Sequence, residues 1–115
     1  MNIAVVYGVV LAKPVERVLA TGEFATAFDV VTESDDGRFT VPVNWVTTVK
    51  SLVCEGDELL VVGRVRRRFY QSGGSVQSRT ELLASEVLPA RRKAAQKKAL
   101  ISASEEIYGH QSLSQ

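Results

Sequence analysis

An all-β barrel is the fold class this sequence predicts, and three observations predict it. Runs of β-branched and aromatic residues alternate between two faces across most of residues 2–87. Clusters of turn formers, Thr21-Gly22, Glu33-Ser34-Asp35-Asp36-Gly37 and Gln71 to Ser75, separate these runs. The strands come as three, then a short predicted helix, then two more, one of them long, all within residues 1–88.

Composition agrees with one globular unit and a tail. The chain has 115 residues, 45% hydrophobic and 23% charged, enough to bury its own core without metals or disulfides. Residues 1–88 read as the barrel domain and residues 89–115 as a basic extension, partly helical or disordered. The net charge of +1 points to no partner, but cations gather at Arg64 to Arg68 and at Arg91 to Lys98. The single cysteine, Cys54, follows Ser51-Leu52-Val53 and reads as a buried structural thiol. No apolar run approaches the roughly 20 residues that cross a bilayer, so a cytoplasmic protein without membrane contact is expected.

Asn2 to Leu11 places Ile3, Val5, Tyr7 and Val9 on one face and Ala4, Val6, Gly8 and Val10 on the other, a strand expected to be covered on both sides. Pro14 breaks it, since proline cannot donate to a central ladder. Arg17 to Leu19 resumes as an edge strand. Phe24 to Thr32 is the second strand, and Arg38 to Val43 returns as the third. Asn44 then has the side chain to cap a short helix, with Trp45, Val49, Leu52 and Val53 at helical spacing and Gly56 as its stop. Asp57 to Tyr70 is the long fourth strand and Val76 to Val87 the fifth. This is the element order of the OB-fold, a five-stranded Greek-key barrel.

Within the fourth strand, Gly63-Arg64-Val65-Arg66-Arg67-Arg68-Phe69-Tyr70 carries the chemistry. Strand alternation puts Arg64, Arg66, Arg68 and Tyr70 on one face and Val65, Arg67 and Phe69 on the other. Guanidinium groups fork onto phosphates, and aromatic rings stack on unpaired bases. Arg79, on the returning strand, is a further phosphate candidate, with Lys13 and Arg17 behind it. Tyr7, Phe24 and Phe28 are assigned to the core or to a subunit contact. The run Arg91 to Lys98 offers no wide apolar stripe as a helix and reads as a solvated or nucleic-acid-tracking extension. Ser102 to Gln115 reads as frayed or disordered beyond one short turn.

An enzyme is not expected, nor a cofactor or metal. His110 is the only histidine and lies in the tail, so His-ligated metals and Ser-His or Cys-His pairs have no scaffold. Gly73-Gly74 lacks the lysine and helix of a phosphate-cradling loop.

Several of these stretches together resemble the bacterial single-stranded DNA-binding proteins. The opening Asn2-Ile3-Ala4-Val5-Val6-Tyr7-Gly8, the turn Lys13-Pro14-Val15-Glu16-Arg17, and Thr21-Gly22 through Ala25-Thr26-Ala27-Phe28 to Val31-Thr32 are similar to that family's first two strands. Glu55-Gly56-Asp57, Val61-Val62-Gly63-Arg64, Arg68-Phe69-Tyr70, Gly73-Gly74 and Glu81 to Val87 are similar to its later signatures and projecting hairpin. The resemblance implies an OB-fold homotetramer whose N-terminal strands pair between subunits. It implies sequence-independent binding of single-stranded DNA in replication, repair or recombination, hence association with the nucleoid.

It also places Phe39 where the family has a stacking aromatic, and Trp45 near a DNA-contacting phenylalanine. Two departures stand out. Arg38-Phe39-Thr40-Val41 replaces the family's Thr-x-Trp-x strand, and the chain ends Ser112-Leu113-Ser114-Gln115 where relatives carry an acidic tip with terminal Pro-Phe. Recruitment of repair or replication enzymes through such a tip is therefore not expected. The competing expectation is an OB-fold adaptor that mainly binds another protein, with DNA contact incidental.

Overall fold

A computed structural model describes residues 1–113, as six strands and one helix. Strand β1 (Ala4–Val10) alternates as its sequence requires, with Val6, Gly8 and Val10 turned inward and Val5, Tyr7 and Val9 outward. β2 (Val15–Val18) is an edge strand on β3 (Phe24–Ser34). β3 forms a hairpin with β4 (Gly37–Thr47) through the two-residue turn Asp35-Asp36. β5 (Glu58–Ser72) and β6 (Ser75–Pro89) form a longer hairpin, followed by α1 (Lys93–Leu113). Gly73 and Gly74 close that hairpin with positive φ of 59° and 82°, the conformation a two-residue turn demands at both positions.

The strands form one sheet in the order β1-β5-β6-β4-β3-β2. Because β1 pairs with β5 along Ala4–Val9 and also touches β3 at Val9 and Val10, the sheet closes partly like a barrel, with β2 outside the ring. β4 and β6 run parallel, Val43 to Trp45 against Leu82 to Ala84, and the other pairs are antiparallel. The inward side chains pack as one core: Val10, Phe28, Val30, Val43, Leu59, Val61, Leu82, Ala84 and Val87. Each large apolar side chain buried this way stabilises the fold by about 1.5–3 kcal/mol.

Alternation turns Leu60 and Val62 to the outside, where Ala99 of α1 and Leu88 cover them. The unbroken apolar run Leu59 to Val62 is thus explained by burial on both faces. Past Val62, β5 leaves the barrel. Val62 pairs with Glu86 but Gly63 with Ala84, leaving Ser85 as an extra residue whose hydroxyl donates to the Val62 carbonyl at 3.0 Å. Such a bulge bends a strand and sharpens its twist. At the crossing the backbones are so close that a Cβ on Gly63 would collide with the Leu83 carbonyl oxygen and lie 2.9 Å from Ala84 Cα. Just beyond, the Asn2 side chain clasps the Val65 backbone, its amide donating to the carbonyl at 2.6 Å and its oxygen accepting from the N–H at 2.9 Å.

The structure corrects four expectations. There is no helix after the third strand: Asn44 and Trp45 continue β4, opposite Ala27 and Thr26, and residues 48–57 form an irregular loop. The β-branched Val43, Val46 and Thr47 prefer extended backbone, and the ladder to β3 satisfies it. Val49 and Leu52, read as the apolar stripe of that helix, are 75% and 88% exposed.

Cys54 is exposed rather than buried, in a turn where its N–H donates to the Asp57 carboxylate at 2.9 Å. β1 is covered on one face only, because Val5, Tyr7, Val9 and Leu11 form an exposed stripe. Of the residues assigned to the core or a subunit contact, Phe28 is buried in the core, Phe24 half-buried and Tyr7 exposed.

The tail is the fourth correction. The helix continues through the segment expected to fray, up to Leu113, and Ser114 and Gln115 lie outside the described residues. Nor is it wholly solvated: Ala99 and Ala103, one turn apart, are buried, and small side chains let the helix approach closely. Gln96 adds a bond to the Leu88 carbonyl at 3.2 Å. No described helix is long and apolar enough to cross a membrane.

The crowding at Gly63 makes a direct test. Gly63→Ala should lower the unfolding free energy by about 1–3 kcal/mol, the usual cost of forcing atoms into a filled site, read from the urea midpoint. A wild-type midpoint would mean that the crossing relaxes freely.

Candidate nucleic-acid interface

Beyond Gly63, β5 and β6 project from the barrel as a two-stranded arm, and the four arginines of β5 take up different positions on it. Arg64 is exposed and lines a cavity of about 690 Å3 beneath α1, together with Asn2, Glu86 and Glu106. Arg66 turns inward along its strand pair and donates from Nε to Glu81 at 2.9 Å. Glu81 is 7% exposed, so this contact is what allows a carboxylate to remain among apolar neighbours. Arg67 shares the opposite face of the arm with Phe69, and both are exposed.

Arg68 and Tyr70 face a groove of about 540 Å3 on the outside of the barrel. Its far wall is Lys13 and Val15, its floor includes Ala27, Asp29 and Pro42, and Arg79 stands beside Arg68 on the arm. Arg68 and Arg79 are direct cross-strand partners. Like charges directly opposite one another destabilise a sheet, and here the repulsion is only partly relieved. Arg79 reaches Asp29 at 3.3 Å, whereas among the described residues Arg68 has no carboxylate within ion-pair distance. The groove therefore holds Lys13, Arg68 and Arg79 around the half-exposed Tyr70 ring, a set suited to an anion that also offers a flat face.

Four of the nine residues singled out from sequence, Lys13, Arg68, Tyr70 and Arg79, meet in this groove. Arg66 supports it from behind by holding Glu81, which also lines it. Arg64 lies away from it, beside the helix. Arg17 is exposed on β2 opposite Ala25 and does not line the groove. Phe39 is 50% exposed opposite Thr32, but it does not line the groove. Trp45 packs half-buried against the core.

Two groove members, Asp29 and Glu81, went unread in the sequence. Asp29 is a lone carboxylate in the apolar stretch Phe24 to Val31, a signal of a specific partner, whereas Glu81 follows the polar run Gln77 to Thr80 and carries no such signal. The partners lie 50 and 15 positions away. Among the described residues no three His, Cys, Asp or Glu side chains cluster as metal ligands. No protein-family model matches the chain, and no curated protein matches it.

The unequal roles of the arginines can be measured. Arg66→Ala should reduce stability by about 1–3 kcal/mol, because it leaves a buried carboxylate without its donor. Arg64→Ala and Arg67→Ala should stay within about 0.5 kcal/mol of wild type, as exposed substitutions do. Equal denaturation midpoints for all three variants would remove the structural role given to Arg66.

Proposed function

We propose that the chain is an OB-fold that binds single-stranded DNA with little sequence preference, in the groove between Lys13 and the β5–β6 arm. The observation that carries this reading is the cross-strand pair Arg68 and Arg79 beside Tyr70, a repulsive arrangement that a phosphate between them turns attractive. Lys13 on the far wall offers a third cation, and Tyr70 a stacking face. The fold supports it. A parallel contact between β4 and β6, with β1 shared between β5 and β3, accords with a Greek-key barrel. Oligonucleotides bind OB-folds between the first connecting loop and the last hairpin. In this chain Ala12 and Lys13, which follow β1, line the groove together with Arg68, Tyr70 and Arg79 of the arm. Work on single strands in replication, repair or recombination follows from this reading, as does an association with the nucleoid.

Self-association belongs to the same proposal. The exposed stripe Val5, Tyr7, Val9 and Leu11 on β1 is a contiguous apolar surface suited to pairing with a second copy on the way to a tetramer. A second reading, an adaptor for another protein, is favoured by the other face of the arm, where Val65, Phe69 and Val76 are exposed.

Binding to oligo-dT should weaken steeply with salt. Three neutralised phosphates predict a slope of log K against log salt of about −2 for single strands. Arg68→Ala should make that slope shallower by about 0.7, and Tyr70→Ala should cost roughly 1–3 kcal/mol of affinity. A salt-independent affinity, or one untouched by both substitutions, would favour the adaptor. Light scattering should give a tetramer for the wild type and a smaller species for Tyr7→Asp; a monomeric wild type would refute the assembly.

A further inference from the structure

Helix α1 has a second face that the barrel leaves open. Ala99 and Ala103 point to the sheet. On the other side, 3.6 residues per turn bring Ala94, Ile101 and Tyr108 into one row. Leu100 and Ile107, each one position before a member of the row, lie together about 100° round the helix from it. All four large side chains are exposed, Ile101 by 48% and Tyr108 by 67%. A shallow groove runs along this side between Ala94, Lys97, Lys98, Ile101, Ser102 and Glu105.

The charges on the helix run against its own dipole. Lys93, Lys97 and Lys98 occupy the N-terminal half, with Arg91 and Arg92 just before it and no acidic residue in the first turn. Glu105 and Glu106 lie in the C-terminal half. A helix N-terminus favours anions and a C-terminus cations, so both halves carry the unfavourable sign. A second helix laid antiparallel reverses this, bringing each acidic half beside a basic half and opposing the two dipoles.

We propose that α1 pairs antiparallel with α1 of a second copy of this chain, about a two-fold axis at Ile101. In that register Ile101 meets its own counterpart. Each Tyr108 ring lies over the small Ala94 of the other helix, Lys97 comes level with Glu105, and Lys98 lies one residue from that level. The groove beside Ile101 receives the ring. This contact uses a different surface from the stripe on β1, and it does not depend on nucleic-acid binding.

Symmetry supplies the test. In the full chain with the exposed Cys54 replaced by serine, Ile101→Cys places two thiols face to face, and mild oxidation should produce a disulfide-linked dimer at low micromolar protein. Ala94→Cys should not link to itself, because seven residues on either side of the axis separate the two copies by about 21 Å at 1.5 Å per residue. A disulfide requires Cα atoms within about 7 Å. Mixing the Ala94→Cys chain with a Tyr108→Cys chain should restore cross-linking. Failure of Ile101→Cys to link, or equally fast self-linking by Ala94→Cys, overturns the proposal. Charge reversal gives a second readout: Lys97→Glu with Lys98→Glu should slow linking of the Ile101→Cys chain, and adding Glu105→Lys should recover it. Absence of that recovery also counts against the register.

Discussion

The close crossing of β5 and β6 at Gly63 is the constraint on which the molecule's two halves depend. Before it, Leu59 to Val62 is buried on both faces, by the core inside and by Leu88 and α1 outside. After it, the same strand is exposed and cationic. The change requires β5 to bend away from the barrel without losing its pairing to β6, and a bulge with an extra residue on the partner achieves that bend. A side chain at residue 63 would hold the backbones apart at the very point where they must touch. The groove exists because of this bend, since it is bounded by the arm on one side and by Lys13 and Val15 on the other.

Within the groove, the distribution of opposite charges matters more than the number of cations. Arg66 is committed to a buried Glu81 and Arg79 is partly engaged by Asp29, while Arg68 is left facing Arg79. The carboxylates hold the arm's side chains in place and moderate the field. A groove lined by arginine alone would repel itself, whereas this one stays folded and keeps the Arg68 guanidinium without a carboxylate partner among the described residues.

Strands were legible in the sequence because runs of β-branched and aromatic residues bounded by turn formers mark extended segments, as in Phe24 to Thr32. The helix expected from Asn44 to Gly56 shows where the signal fails. Trp45, Val49, Leu52 and Val53 fit helical spacing by coincidence, while the β-branched residues around them favoured the ladder that β3 offers. The docking of α1 was missed for the opposite reason: two alanines make no visible stripe, yet they are what close packing against Leu60 and Val62 requires. Of the site, Arg68, Tyr70, Arg79 and Lys13 could be picked out by residue type, but their separation from Arg17, Arg64, Phe39 and Trp45 could not. That separation follows from strand curvature and from the distant partners Asp29 and Glu81.

The clasp of Asn2 on Val65 spans 63 positions. The root of the arm is therefore tied down by a residue just before β1, and β1 has no partner for most of its length until β5 has been made. During synthesis its apolar stripe must wait, unpaired on its main edge, while the residues between Val10 and Glu58 emerge. Architectures built on such distant pairings fold more slowly than locally connected ones, and unpaired strands are open to association with neighbouring chains. The arrangement that fixes the arm in the finished molecule thus ties β1 to a strand made long after it.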